Sequence, residues 1–156
     1  VAAGYVVAAA WAGRSGDRLG LARVIAACSF VYGGGLIVGG LAQTWHDWYL
    51  ALMFPVTIAG GAVMTLGWGL LFKLTPPEHR GAVSGLATST KGIGLIIGPI
   101  AAGAAMDIFG RYFESTNGYQ LLWPILGVPI LAVIPLVLQM ASVENAPSGR
   151  ATRPAG

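Results

Sequence analysis

The sequence predicts an all-α membrane protein, a polytopic bundle of transmembrane helices. Three observations carry this reading. Apolar residues make up 55% of the 156-residue chain and charged residues only 10%, and the mean hydropathy is +0.70. A soluble domain carries about 25% charged residues to offer water a polar surface. Second, four apolar stretches each reach the roughly 20 residues that a helix needs to cross hydrocarbon. Third, the chain holds 24 glycines, and small residues let membrane helices approach closely.

The elements follow in order. Val1 to Ala12 is apolar but too short to span, and is expected to be the cut end of a first helix in a chain truncated at its N-terminus. No positively charged region or cleavage site precedes it, so it does not read as a signal peptide. The spans are expected at Leu21 to Gln43, Trp48 to Phe72, Gly81 to Met106 and Tyr119 to Ala141. Four full spans and one truncated helix thus fill residues 1–144, and residues 145–156 form a polar tail. Pro55, Pro99, Pro124, Pro129 and Pro135 fall inside the runs. Membrane helices tolerate such prolines because neighbouring groups satisfy the freed carbonyls.

The connections alternate in charge. The first carries Arg14, Arg18 and Arg23 against Asp17, and the second, Thr44 to Asp47, has no basic residue. The third has Lys73 and Arg80 with Glu78; the fourth has Arg111 against Asp107 and Glu114, and the tail has Arg150 and Arg153. The positive-inside rule then puts residues 13–23, residues 73–80 and the C-terminus in the cytoplasm. Trp45, Trp48 and Tyr49 flank the second connection, and Tyr112, Tyr119 and Trp123 the fourth, as interfacial aromatics do.

The first connection reads Gly13-Arg-Ser-Gly-Asp17-Arg18-Leu-Gly20-Leu-Ala-Arg23. Glycines at 13 and 20 suit a tight turn with close backbone approach. Asp17 suits the positive N-terminal end of a neighbouring helix. Arg18 and Arg23 suit carboxylates or lipid headgroups and hold the orientation. In the third connection, Pro76 and Pro77 stop one helix and Glu78 precedes the next. That next helix carries Gly85, Gly94, Gly98, Pro99 and Gly103, with Gly94 and Gly98 at the spacing of a close helix contact and Pro99 adding a bend.

These patterns resemble two signatures of the major facilitator superfamily. The loop matches G-x-x-x-D-R-x-G-[RK] at Gly13, Asp17, Arg18 and Gly20, with Leu21 in the usually basic position and Arg23 two residues on. The helix is similar to the antiporter signature G-x8-G-x3-G-P-x2-G-G, with Ala102 in place of the penultimate glycine. The resemblance covers nearly the whole chain. It implies the C-terminal half of a secondary transporter, from the end of helix eight to helix twelve. Met106-Asp107-Ile-Phe-Gly110 and Gly118-Tyr119, leading to a last helix and a short tail, favour that half. The alternative is the N-terminal half of a drug–proton antiporter, helices two to six. The resemblance further implies a bacterial plasma membrane, a small solute as cargo, and the missing other half as partner. It also implies that the helix from Trp48 lines a central cavity, which makes Thr57, Thr65 and Trp68 candidate lining residues.

Lys91 is the basic residue well inside a span. A lysine at a helix centre costs about 2.5–3.5 kcal/mol, so it needs water, a partner or an escape. Ten residues beyond Gly81, at about 1.5 Å each, place it some 15 Å along the helix. Two readings stand: a stem that snorkels to the interface or pairs at a helix contact, and a substrate or proton role. Tyr32, Gln43, Thr88, Ser89 and Thr90 read as groups that satisfy carbonyls or neighbouring helices. His46 and His79 read as interfacial loop residues, and the lone Cys28 as packing.

The chain shows no metal-ligand spacing, nucleophile elbow, phosphate loop or dinucleotide fingerprint, so no catalytic residue, metal or cofactor is expected and the chain does not read as an enzyme. The pI is 9.4, but no basic stripe interleaved with aromatics points to nucleic acid. The expected partner is the lipid bilayer. The competing classes are a membrane-embedded enzyme, for which no convergent acid, base or metal set is seen, and a structural subunit of a membrane complex.

Overall fold

The computed structural model describes residues 13–16, 18–41, 47–112 and 119–144. Among these, four helices are long and apolar enough to cross a membrane. They are α1 (Leu21–Leu41), α2 (Trp48–Leu74), α3 (Arg80–Phe109) and α4 (Leu122–Glu144). The candidate helix at 1–12, Asp17, the connection at 42–46, residues 113–118 and the tail lie outside the described residues.

Several boundaries differ from the expected ones. The first connection is helical at 13–16 and 18–19, where a loop was expected. Helix α2 runs on to Leu74 and stops at Thr75, whose extended backbone (φ −99, ψ 125) lies two residues before Pro77 and directly before Pro76. A residue preceding proline is driven out of the α region. Helix α3 starts at Arg80, after a single 3₁₀ turn at Pro77–His79, and continues to Phe109. The last span opens with a 3₁₀ turn, Tyr119–Leu121, so Pro124 falls in the first turn of α4, where its missing N–H costs nothing. Pro55, Pro99, Pro129 and Pro135 are interior, and the helices run through them.

Helix α1 is the hub. It packs on both α2 and α4, whereas α3 touches α4 only lightly. Contacts run in opposite order along the partners. Tyr32 meets Gly60 and Gly35 meets Val56 across α1–α2; Gly40 meets Trp123 and Gly33 meets Leu131 across α1–α4. Both pairs are therefore antiparallel, as consecutive crossings require. Near one end, Ala22, Ile25, Cys28, Ala59, Ala62, Leu66, Leu70 and Ala141 form a buried cluster, with Ala22 and Ala62 fully enclosed.

Glycine sets the spacing between α1 and α4. A Cβ on Gly33 would lie 3.0 Å from the Gly127 carbonyl oxygen, and one on Gly127 would lie 2.8 Å from the Gly33 carbonyl oxygen. A Cβ on Gly40 would press on Trp123 at 2.7 Å and on Pro124 at 3.1 Å. Backbone meets backbone here, so no side chain can swing aside. Gly127→Ala or Gly33→Ala is expected to destabilise the full-length protein by about 1–3 kcal/mol through overpacking. Thermal unfolding in detergent checks this; Gly34→Ala, on the same helix as Gly33 and with no described atom within 4 Å of its Cβ, is the matched control.

Candidate functional site

Among the described residues, the corner before α1 is one place that carries polar chemistry. Gly20 has φ 89, the left-handed region. Its N–H donates to the Gly16 carbonyl at 3.0 Å, and its own carbonyl accepts from the Val24 N–H at 3.2 Å. Gly20 thus closes the preceding helical segment as a left-handed cap and opens α1 with the first hydrogen bond of that helix. Gly16 is the second requirement, because a Cβ there would sit 2.7 Å from the Leu21 side chain. Gly13, the first glycine of the loop signature, has no neighbour within 4 Å of its Cβ position among the described residues. The sequence reading passed over Gly16, although it stands four residues before Gly20, the spacing of a helical cap bond.

Arg18 and Arg23 flank this corner, both exposed. They line a notch of about 360 Å³ with Ser15, Leu19, Val24, Ala27 and Cys28. Asp17 belongs to the same signature but lies outside the described residues.

The second place is a groove between α2 and α3, about 330 Å³, lined by Val63, Met64, Gly67, Trp68, Leu71, Ala87 and Lys91. Trp68 stacks on Phe72 with ring centroids 5.9 Å apart. Lys91 is exposed and has no hydrogen-bond or ion-pair partner among the described residues. It stands 11 residues into a 30-residue helix, roughly 16 Å along an axis of about 45 Å. With hydrocarbon about 30 Å thick, the Cα lies some way inside the apolar layer if the helix is centred.

Of the proposed lining residues, the structure brings Trp68 and Lys91 together and leaves the two threonines out. Thr57 Oγ1 donates to the Met53 carbonyl at 2.7 Å, and Thr65 Oγ1 to the Gly61 carbonyl at 3.0 Å. Thr90 does the same to Leu86 at 2.9 Å. These hydroxyls are spent on their own helices.

The glycine-proline signature divides on the helix wheel. At about 100° per residue, Gly85, Pro99 and Gly103 share one face, while Gly94 and Gly98 lie on the other. The second face continues through Ala87 and Lys91, which line the groove. None of Gly85, Gly94, Gly98 and Gly103 has a neighbour against which a Cβ would pack, and α3 buries no residue in this chain. The expected close contact is therefore not made among the described residues. The glycines that do make one, Gly33, Gly40 and Gly127, were not singled out from sequence, although Gly33 and Gly40 stand seven residues apart, two helical turns on one face.

The chain matches the family model of the Major Facilitator Superfamily over residues 1–155. It belongs to that superfamily. It is 31% identical over 137 residues to an uncharacterized transporter of Cutibacterium acnes (strain DSM 16379 / KPA171202), covering 85% of this chain and 24% of that protein. It is 32% identical over 69 residues to Multidrug resistance protein 3 of Bacillus subtilis (strain 168), covering 44% of this chain and 13% of that protein. No solved structure matches. The chain thus spans about a quarter of the length of the first of these relatives. Membership of the major facilitator superfamily, with four apolar helices of spanning length, makes this an integral membrane protein of a transporter family.

The corner makes a sharp demand on one residue. Gly20→Ala is expected to cost about 1–3 kcal/mol, since a non-glycine residue held in the left-handed region is strained. Gly13→Ala is expected to change stability little. Unfolding temperatures of the two full-length variants, measured side by side, check the difference.

Proposed function

We propose that this chain is part of a secondary active transporter that moves a small solute by alternating access, with the α2–α3 groove lining the path. The observation that carries the reading is Lys91, a cation on an apolar spanning helix, opening onto a groove beside Trp68 with no acid facing it among the described residues. An ionisable residue within a spanning segment is costly and marks a substrate or ion pathway. Family membership supplies the class of function. In that class two halves rock around a site near the midplane. The uncovered face of α3, with Ala87, Lys91, Gly94 and Gly98 along it, is where the other half of the transporter would close.

We assign the chain to helices eight to twelve, with the helical end of Arg14, Arg18, Arg23, Lys73 and Arg80 facing the cytoplasm of a bacterial cell. The support is topological. The antiparallel order of α1, α2 and α3 brings all five of these basic residues to one end. At the other end Trp48 stacks on Tyr49 at 4.4 Å, and Arg111 lies 5.1 Å from the centroid of the Tyr112 ring. Basic residues stay on the cytoplasmic side and aromatics mark the interfaces.

A second reading, the N-terminal half of a drug–proton antiporter, rests on a specific observation. The glycine-proline signature from Gly85 to Gly103 resembles that of such antiporters, and one relative is named a multidrug resistance protein. Upstream sequence decides between the two halves: an earlier copy of the Gly13–Arg23 pattern supports the C-terminal assignment, and its appearance downstream instead supports the N-terminal one.

Lys91→Ala in the full-length transporter is expected to lower solute flux by about tenfold or more at unchanged expression, with Lys91→Arg retaining more of it. Uptake or efflux in cells matched for protein level checks this, and normal flux through Lys91→Ala removes the residue from the path. For orientation, a cysteine at Glu78 is expected to react with an impermeant maleimide only after the cytoplasmic face is opened. A cysteine at Asp107 should react in intact cells. Cys28, buried in α1, gives a low background.

A further inference from the structure

The notch at the corner before α1 has the makings of a ligand site that the transport path does not use. Its rim is polar and cationic, with Ser15, Arg18 and Arg23; its floor is apolar, with Leu19, Val24, Ala27 and Cys28. Arg18 and Arg23 have no ion-pair partner among the described residues. Counting Asp17 as well, residues 14–23 hold three arginines against one aspartate. Helix α1 has no acidic residue in its first turn.

Position selects among anions. Ala27 and Cys28 sit two turns into an apolar helix of spanning length, so the floor of the notch runs down along the side of the bundle. A small soluble anion would use the rim and leave this floor bare. A molecule with a phosphate at one end and a hydrocarbon chain at the other covers both.

We propose that the notch is a binding site for one anionic phospholipid. The phosphate would sit between the Arg18 and Arg23 guanidiniums with the Ser15 hydroxyl donating to it, and the glycerol and upper acyl chain would lie on Leu19, Val24, Ala27 and Cys28. Guanidiniums pair with phosphate oxygens through two parallel N–H donors, which gives geometric selection beyond simple attraction. Because Gly20 locks this corner directly to the start of α1, lipid binding would hold the preceding helical segment against the hub of the bundle.

The test uses the full-length transporter in mild detergent, with bound lipid counted by native mass spectrometry and stability followed by thermal unfolding. Phosphatidylglycerol, phosphatidylcholine and sodium phosphate are titrated separately. The expected result is that phosphatidylglycerol binds and raises the unfolding temperature, while phosphatidylcholine and phosphate do so far less. Each arginine near the membrane surface contributes about fivefold in affinity, so the pair Arg18→Gln with Arg23→Gln should weaken phosphatidylglycerol binding about 30-fold. Lys73→Gln with Arg80→Gln, which removes the same charge at the same end, should leave binding unchanged. Ala27→Phe fills the floor and keeps both arginines; it should lose the lipid while its response to phosphate stays as in the parent. Equal loss in the Lys73/Arg80 pair would overturn the proposal in favour of diffuse attraction. Stabilisation by phosphate matching that by lipid would overturn it in favour of a soluble anion, and full lipid binding by Ala27→Phe would overturn the assigned floor.

Discussion

The close passage of α1 against α4 at Gly33 and Gly127 is the contact on which the arrangement of this bundle depends. In water, apolar faces are driven together by the solvent. In lipid the solvent is as apolar as the side chains, so helices gain by packing closely enough for dispersion and weak polar contacts to outweigh lipid contacts. Each glycine here faces the other's carbonyl at a distance that excludes a Cβ. The small residues of α1 repeat the device toward α2, where Ala22 and Ala62 are fully enclosed and Gly35 lies under Val56. One helix therefore presents small residues to two partners, and this makes it the hub.

Helix α3 follows the opposite design. It is the longest of the four and buries nothing within this chain. Its small-residue stripe and its lysine lie on one face, and Ile96, Ile97 and Ile100 are exposed elsewhere around it. A lysine and a row of glycines facing lipid would be costly in both respects: an unsolvated charge, and backbone left without van der Waals partners. Protein or water against that face removes both costs. The groove beside Trp68 is where the described residues begin to supply such a cover.

The number, order and type of the spans were legible in the sequence, because length and apolarity alone decide what crosses hydrocarbon, and the ends came within three residues at most places. The corner was legible only in part. Gly20 stood out through a signature, but its double role depends on a left-handed φ that no sequence rule assigns to one glycine among 24. The α1–α4 contact was not legible. Gly33 to Gly35 and Gly39 to Gly40 lie in a glycine-rich run where every face carries a small residue, and which of them meets a partner depends on helix rotation about its axis. The signature glycines show the converse: spacing puts Gly94 and Gly98 on one face but names no partner helix, and no described residue packs against them. Thr57 and Thr65 show a third limit, since a hydroxyl in a helix has a carbonyl four residues back always within reach.

These features combine into a mechanical argument. The helical segment before α1 ends at Gly20, whose N–H and carbonyl are both committed, one to each flanking helical segment, so opening the corner costs a hydrogen bond. Helix α1 in turn passes α4 with the Gly33 and Gly127 carbonyls each set against the other glycine's Cα, where a Cβ would crowd them. The corner, α1, α2 and α4 are therefore joined by hydrogen bonds and close packing. The connection from α2 to α3 is different: an extended Thr75, a polyproline-like Pro76 and a single 3₁₀ turn, held by the His79 N–H on the Pro76 carbonyl at 3.0 Å and by few other bonds. Helix α3 touches α4 only lightly and is joined to α2 by this short link. Lys91 is thus carried by the helix that shares the least contact with the others among the described residues.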